Sequence, residues 1–265
     1  MATIVITGST KGIGKGLAQE FFNQGHQVVV SGRNQDDANQ CANDIGKGSD
    51  KVIAVACDTT DKAQVEQLWQ AATDRFGAVD IWINNAGLAR TVWSILDTPD
   101  DEVNTMVTTN MLGTINCCKV VANGMKQQGG GKIFNMLGGG SDGEYFPGMG
   151  IYGTTKRGLD YFTNALSKEL KDDHILVGKI RPGMIITEGV IREAKADWDN
   201  FQKRRKFANV LCDKVETVAP FLVTNILNFN KTGKKIAWLN PRKMTLRLLG
   251  SLLKKPKDKF AEFGL

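Results

Sequence analysis

Apolar residues in this chain gather into short continuous runs, and amphipathic stretches separate one run from the next. TIVIT, from Thr3 to Thr7, is uniformly apolar and bounded by glycine, the pattern of a strand buried on both faces. After a glycine-rich turn comes KGLAQEFFNQG, in which Leu17, Ala18, Phe21 and Phe22 return at helical spacing. The strand pattern recurs in QVVVSGRN, KVIAVACD, VDIWINNAG (Val79 to Gly87), GKIFNML, HILVGKI and KKIAWLN. Helical spacing recurs between them: in TDKAQVEQLWQAATDRFG, from about Asp101 to Met125, from Tyr152 to Lys171, and in VETVAPFLVTNILNF. This alternation predicts an α/β fold with a doubly wound parallel sheet, because parallel neighbours need a crossover connection. Residues 188–212 are amphiphilic, carry no turn cluster that would mark a linker, and are expected to form a small lid over a substrate. At 265 residues, with neither repeat nor low-complexity tract, positions 1–265 are expected to share one core.

Charge changes this picture at one end. The net charge is +6, and from Lys231 to Leu265 ten Lys or Arg stand against Asp258 and Glu262. Residues 241–265 thus form a basic C-terminal extension, and only there is disorder expected. Its MTLRLLGSLLKK segment suits nucleic acid, an anionic membrane surface or an acidic substrate, and equally a solvated helix face that caps the pocket. The cysteines, Cys41, Cys57, Cys117, Cys118 and Cys212, are odd in number and lack metal-ligand or disulfide spacing. They read as small buried hydrophobes in a reducing compartment, with no metal site expected. MATIVITG enters the first strand with no signal-like or transit-like stretch, and no apolar run reaches membrane-spanning length, so a soluble cytoplasmic protein is expected.

The turn TGSTKGIG, Thr7 to Gly14, carries the first candidate chemistry. Backbone N–H groups at a helix start, unscreened at Gly8, Gly12 and Gly14, can approach a pyrophosphate, with Thr10, Lys11 and Ile13 beside them. The strand QVVVSGRN ends in Ser31, Gly32 and Arg33, where an acid would serve the adenosine ribose of NAD. Arg33 and Lys11 offer a cationic pocket for a 2′-phosphate instead, which points to NADP(H); the alternative for each is a solvated surface charge. Asp58, ending the third strand, either holds the adenine amino group or caps the next helix. Asn84, Asn85, Ala86 and Gly87 end the fourth strand with small and amide groups able to pass close to the cofactor. Asn110 stands in the middle of a predicted helix, where its propensity is poor.

Tyr152 and Lys156 are spaced i, i+4, side by side on one helix face. A cation about 4 Å from a phenol, at an effective dielectric near 20, stabilises the phenolate by roughly 4 kcal/mol, or about 3 pK units. Tyr152 could then exchange a proton at working pH.

TGSTKGIG, NNAG, Asn110, Tyr152-x-x-x-Lys156 and Arg181-Pro-Gly occur in order, and with them the chain resembles the short-chain dehydrogenase/reductase family over nearly its whole length. The resemblance implies a Rossmann fold, a nicotinamide cofactor and hydride transfer to or from a carbonyl or alcohol carbon. It implies Tyr152 as general acid in reduction, Lys156 lowering its pKa and holding the nicotinamide ribose, and Asn110 positioning a water that relays the proton. Pro182, Gly183 and Thr187 of the RPGMIIT turn join the implied cofactor site, and a homo-oligomer through the helices of Asn110 and Tyr152 is implied. The chain departs from the family where the substrate-orienting serine usually stands, about thirteen residues before the tyrosine: that place is Gly139. IFNMLGGGSDG, the following proline-containing loop, YGTTK and the basic end resemble the chlorophyll b reductase branch, which makes Ser141 the substrate-orienting residue; the alternative is a turn serine bonding its own backbone. The glycines of the loop would let a wide, flat substrate lie close to the backbone, and a flexible lid loop would look the same. That branch implies a hydrophobic carbonyl substrate, a chlorophyll-type tetrapyrrole, with the basic tail at a membrane surface and no nucleic acid. A general NADPH carbonyl or 3-oxoacyl reductase would use the same residues. A non-catalytic nucleotide-sensing protein is a further reading, since a fold does not establish an activity.

Overall fold

The computed structural model describes residues 1–254 and 256–265; Lys255, one of the ten cations of the basic end, lies outside the described residues. The strands are β1 (Thr3–Ile6), β2 (Gln27–Gly32), β3 (Val52–Ala56), β4 (Ile81–Asn84), β5 (Gly131–Met136), β6 (Ile175–Arg181), β7 (Ile185–Ile186), β8 (Asp213–Lys214) and β9 (Lys235–Ala237). The helices are α1 (Gly12–Asn23), α2 (Gln35–Gly46), α3 (Lys62–Phe76), α4 (Asp100–Val107), α5 (Thr114–Gln128), α6 (Gly150–Glu169), α7 (Glu188–Ala196), α8 (Trp198–Leu211), α9 (Val215–Leu227) and α10 (Pro241–Leu253). Seven strands form one sheet in the order β3-β2-β1-β4-β5-β6-β9, all pairs parallel, while β7 and β8 pair apart from it.

Alternate residues of each strand feed opposite faces. Ile4 and Ile6 pack with Leu17 and Phe21 of α1 and Leu222 of α9, whereas Val5 packs with Leu68 of α3 and Val121 of α5. Burial on both faces is why the strands read as unbroken apolar runs. The strand order reverses between β1 and β4, so the loops leaving them diverge and open a crevice at the carboxyl ends of the strands.

Three expectations change. The helix from about Asp101 to Met125 is α4 and α5 joined by a π-helical segment, Thr108–Gly113, with Asn110 inside it; such wide turns cluster at functional sites. The segment expected to form a lid, residues 188–212, is built mainly of two helices, α7 and α8, with Asp197 accepting the Asn200 N–H at the start of α8. The chain end is ordered: Phe260 is fully buried and joins Leu265 in a cluster with Ile186, Ala194, Ala208 and Cys212 of the lid region. Arg205 of α8 holds that end by donating to the Asp258 carboxylate and the Leu265 carbonyl. All five cysteines are free and buried, and burial pushes Cys57, Cys118 and Cys212 up to about 12, so these thiols act as packing groups. Among the described residues no helix is long and apolar enough to cross a membrane.

Candidate active site

The turn between β1 and α1 passes through Gly8 (φ 60°) and Gly12 (φ 57°), a conformation that glycine adopts without steric cost. A Cβ on Gly8 would lie 2.8 Å from the Ala86 Cα, and one on Gly14 would lie 2.5 Å from the Asn85 Nδ2. The turn therefore rests directly on the loop after β4. Asn85 makes the join by donating to the Thr7 and Gly8 carbonyls at 2.9 and 2.8 Å. α1 starts with no side-chain cap and no acid in its first turn. Its free N–H groups, above a floor that any Cβ would fill, fit the pyrophosphate of a dinucleotide. Ile13 packs into the core and anchors the helix start.

Thr10 and Lys11 border a surface cleft with Lys15 and Asp37, and Gly32 packs on Thr10, its Cβ position 2.6 Å from the Thr10 methyl. Arg33 follows Gly32 in the chain and is exposed. Asp58 does not cap α3. That position belongs to Asp61, which accepts the Ala63 N–H at 2.9 Å, while Asp58 Oδ1 accepts from the Thr60 N–H and hydroxyl at 2.9 and 2.8 Å. Asn84 is corrected as well. Its side chain turns into the core, Oδ1 accepting from Trp82 Nε1 at 2.7 Å and Nδ2 donating to Asn135 at 2.8 Å, so no part of its amide is left for a cofactor. Across the crevice, Thr187 caps α7, and its methyl is the group nearest to a Cβ on Gly12, at 3.4 Å. The Pro182-Gly183 turn leads to it, with Gly183 at φ 84° backed by Leu239.

Tyr152 and Lys156 lie in the first two turns of α6. A Cβ on Gly138 would come within 2.1 Å of the Tyr152 Oη, so the loop after β5 abuts the phenol. Lys156 Nζ donates to the Met136 carbonyl at 2.9 Å and sits 5.7 Å from the centre of the Tyr152 ring. The Cβ position of Gly87 is 3.6 Å from the same Nζ and 3.1 Å from Asn110 Oδ1, so these groups converge at the crevice. The expected lowering of the Tyr152 pKa by Lys156 is not found. Desolvation pushes the half-buried phenol up to about 12, opposed by the Arg181 guanidinium, and pulls Lys156 down to about 8. The ammonium is aimed at a carbonyl, and at this separation loss of water outweighs the charge pair.

A phenol near 12 is protonated at neutral pH and can donate. Lys156, lowered from its usual value, is charged only below about 8. Reduction that needs both forms should run on a plateau at neutral pH and decline as pH rises through about 8. The logarithm of kcat plotted against pH checks this; a flat profile to pH 10 would remove Lys156 from the mechanism.

Asn110 is fully buried. Its Oδ1 accepts the Leu88 N–H at 2.7 Å, and its Nδ2 donates to the Leu88 carbonyl at 2.9 Å and to Thr155 Oγ1 at 3.0 Å. Thr155 in turn donates to the Tyr152 carbonyl at 2.7 Å, which ties the β4 loop, the π-helical segment and α6 together. Both amide hydrogens are committed, so a water held here would bind to an oxygen. Ser141 is fully buried, and its hydroxyl has no partner; no hydrogen bond joins it to Tyr152. Its own N–H donates to the Gly138 carbonyl at 3.2 Å, and its carbonyl accepts from Arg157 at 2.9 Å.

Thr155 and Arg181 belong to the site although spacing along the chain gave neither a role there. Arg181 pairs with Asp142 at 2.7 Å and with Glu144, and Lys235 also holds Asp142. It thereby pins the Ser141 loop while placing positive charge toward Tyr152. Two acids in the loop opposite a strand-end arginine were the available signal. Trp93, Ile95, Leu96, Tyr145 and Pro147 line a cavity of about 360 Å³ with Asn200 and Arg204 of α8. Glu193 of α7 closes one side, accepting the Thr91 N–H at 2.9 Å and pairing with Arg90 at 3.7 Å.

The short chain dehydrogenase profile matches residues 2–198. The probable chlorophyll(ide) b reductase NYC1 of Oryza sativa subsp. japonica is 33% identical over 264 residues, 93% of this chain and 51% of that protein. The chlorophyll(ide) b reductase NOL of the same organism is 36% identical over 230 residues, 84% of this chain and 66% of that protein. This chain thus spans between half and two thirds of the length of these relatives. The crystal structure of 3-ketoacyl-(acyl-carrier-protein) reductase from Brucella melitensis complexed with NADH has a TM-score of 0.79 and 26% identity, covering 91% of this chain and 98% of that one. With the matched stretch running from β1 to the start of α8, through the glycine turn, Asn110, Tyr152 and Lys156, the chain belongs to the short chain dehydrogenase family.

Proposed function

We propose that this chain reduces the formyl group of chlorophyll b or chlorophyllide b to the hydroxymethyl form with NADPH. The observation that carries the reading is a protonated phenol, Tyr152, against a glycine floor, two residues from Gly150 in the wall of a cleft that aromatic and aliphatic side chains help to line. Likeness to NYC1 and NOL supports the pigment as substrate. When bound, the nicotinamide supplies hydride to the carbonyl carbon. The turn from Gly8 to Gly14 and the uncapped start of α1 would hold the pyrophosphate, Asp58 would accept from the adenine, and Lys156, whose Nζ already donates to the Met136 carbonyl, would hold the ribose. Tyr152 Oη delivers a proton to the carbonyl oxygen, and the unpartnered Ser141 hydroxyl donates to that oxygen. Fixed donors at the developing charge lower the barrier without reorganising.

Arg33 and Lys11 would meet the 2′-phosphate of NADPH. Replacing Arg33 with Ala should weaken NADPH by about 10- to 100-fold, the worth of charge-assisted hydrogen bonds, and leave NADH nearly unchanged. Titration of both cofactors against both proteins checks this, and equal losses would show that Arg33 does not read the phosphate.

The second reading, a general carbonyl or 3-oxoacyl reductase, is favoured by likeness to the Brucella 3-ketoacyl reductase. NADPH oxidation against chlorophyllide b, small aldehydes and 3-oxoacyl thioesters decides between them. Untouched pigment with thioesters turned over sinks the first reading, and NADPH binding without any turnover installs the nucleotide-sensing one. The buried thiols support a reducing compartment such as the cytoplasm. Val107, Leu112 and Tyr161, exposed on the elements flanking Asn110 and Tyr152, support a homo-oligomer formed there.

A further inference from the structure

α10 is inverted relative to the usual helix of a water-facing domain, which turns its apolar stripe to the core. None of its residues is buried, and the side chains that bond to the body are cations, with Met244 and Leu248 half-covered beside them. Arg247 donates to the Leu211 carbonyl at 3.3 Å and pairs with Asp213 at 2.7 Å, while Lys243 Nζ stands 2.9 Å above the Trp238 ring. At about 100° per residue the outward face carries Leu246, Leu249, Leu252 and Leu253, and these are 70%, 55%, 80% and 93% exposed. Contiguous leucines facing outward mark a surface made to be covered.

Charge says by what. Arg242 and Lys254 bracket the leucines at the two ends of the helix, and Lys203, Arg204 and Lys206 are exposed on α8, against which α10 packs. A second copy meeting this face about a two-fold axis would set these cations against their own equivalents. An anionic bilayer takes leucines at its acyl boundary and cations at its headgroups. We propose that α10, with the basic edge of α8, is a docking surface for an anionic lipid bilayer. Because α8 also supplies Asn200 and Arg204 to the substrate cleft, docking brings the cleft mouth toward the membrane. The docking claim stands apart from the pigment reading, because it is measured without any carbonyl substrate.

The test is co-sedimentation of the full chain with vesicles of phosphatidylcholine containing phosphatidylglycerol, and with phosphatidylcholine alone, at low and high salt. Retention is expected on the anionic vesicles, weakened by salt. Arg242→Gln and Lys254→Gln should each lower the partition coefficient by about fivefold. The double variant Leu249→Asp/Leu253→Asp should abolish binding while its thermal midpoint, NADPH affinity and turnover of a water-soluble aldehyde stay unchanged. Equal sedimentation with and without phosphatidylglycerol, or full binding by the leucine variant, would overturn the proposal. So would absent vesicle binding together with a dimer that the leucine variant dissociates, which would make this face an interface between copies.

Discussion

Tyr152→Phe should cut turnover by about 100- to 10,000-fold, the range for loss of a positioned proton donor, while NADPH binds as before. The ring stays in its place at the start of α6, so the substitution removes little more than Oη. That oxygen abuts Gly138, and its pKa near 12 keeps it protonated at every pH where Lys156 is charged. Of the three tyrosines, Tyr152 is the one that abuts Gly138 and stands beside Lys156, whereas Tyr145 and Tyr161 are 71% and 78% exposed. The measurement is kcat and KM for reduction alongside a fluorescence titration of NADPH. A kcat within threefold of the parent would mean that the proton comes from elsewhere.

Gly138→Ala tests the same atom from the other side and should be nearly as damaging. Gly138 has an ordinary backbone conformation that alanine also adopts, so no strain is expected from φ. What the new methyl meets is the phenol: Cβ would stand 2.1 Å from Oη and 2.9 Å from Cζ. Either the ring or the loop must move by about 1 Å, and a displacement of that size at reacting groups costs about 100-fold. NADPH affinity should hold, because the glycine turn lies on another loop. The double variant Gly138→Ala/Tyr152→Phe gives the decisive comparison. If the methyl acts through Oη, it should cost little further activity once that oxygen is gone; additive losses would mean that Gly138 serves some other purpose.

The parts of the site built from neighbours in sequence were readable in advance. Gly8, Gly12 and Gly14 stand between a strand and a helix, and the structure uses that spacing directly, with two of them at positive φ. Tyr152 and Lys156 fall in adjacent turns because i, i+4 is a property of any α-helix. What spacing did not carry is where Lys156 points. Its Nζ turns to Met136, twenty residues earlier in the chain, so the phenol is governed more by burial than by its nearest cation.

Asn84 and Asn85 show the limit sharply. Both are amides at a strand end, but a strand alternates its faces, and the partners on each side decide which one borders the crevice. Trp82, Cys118 and Asn135 draw Asn84 inward, and the carbonyls of Thr7 and Gly8 take Asn85. Arg181 depends on contacts 37 and 39 residues away, with Glu144 and Asp142.

By itself the sequence determined the doubly wound sheet, the glycine turn and the phenol and lysine pair, because each is written in local periodicity or fixed spacing, and the motifs in their order carried the resemblance to the family. Only the tertiary structure decided which amide turns into the core and which bonds the glycine turn, which cation holds the Ser141 loop, how far the phenol is desolvated and that Phe260 packs among residues of α7 and α8. The physical reason is the same throughout: local spacing sets backbone form, whereas desolvation and side-chain pairing depend on what distant segments bring to the same place.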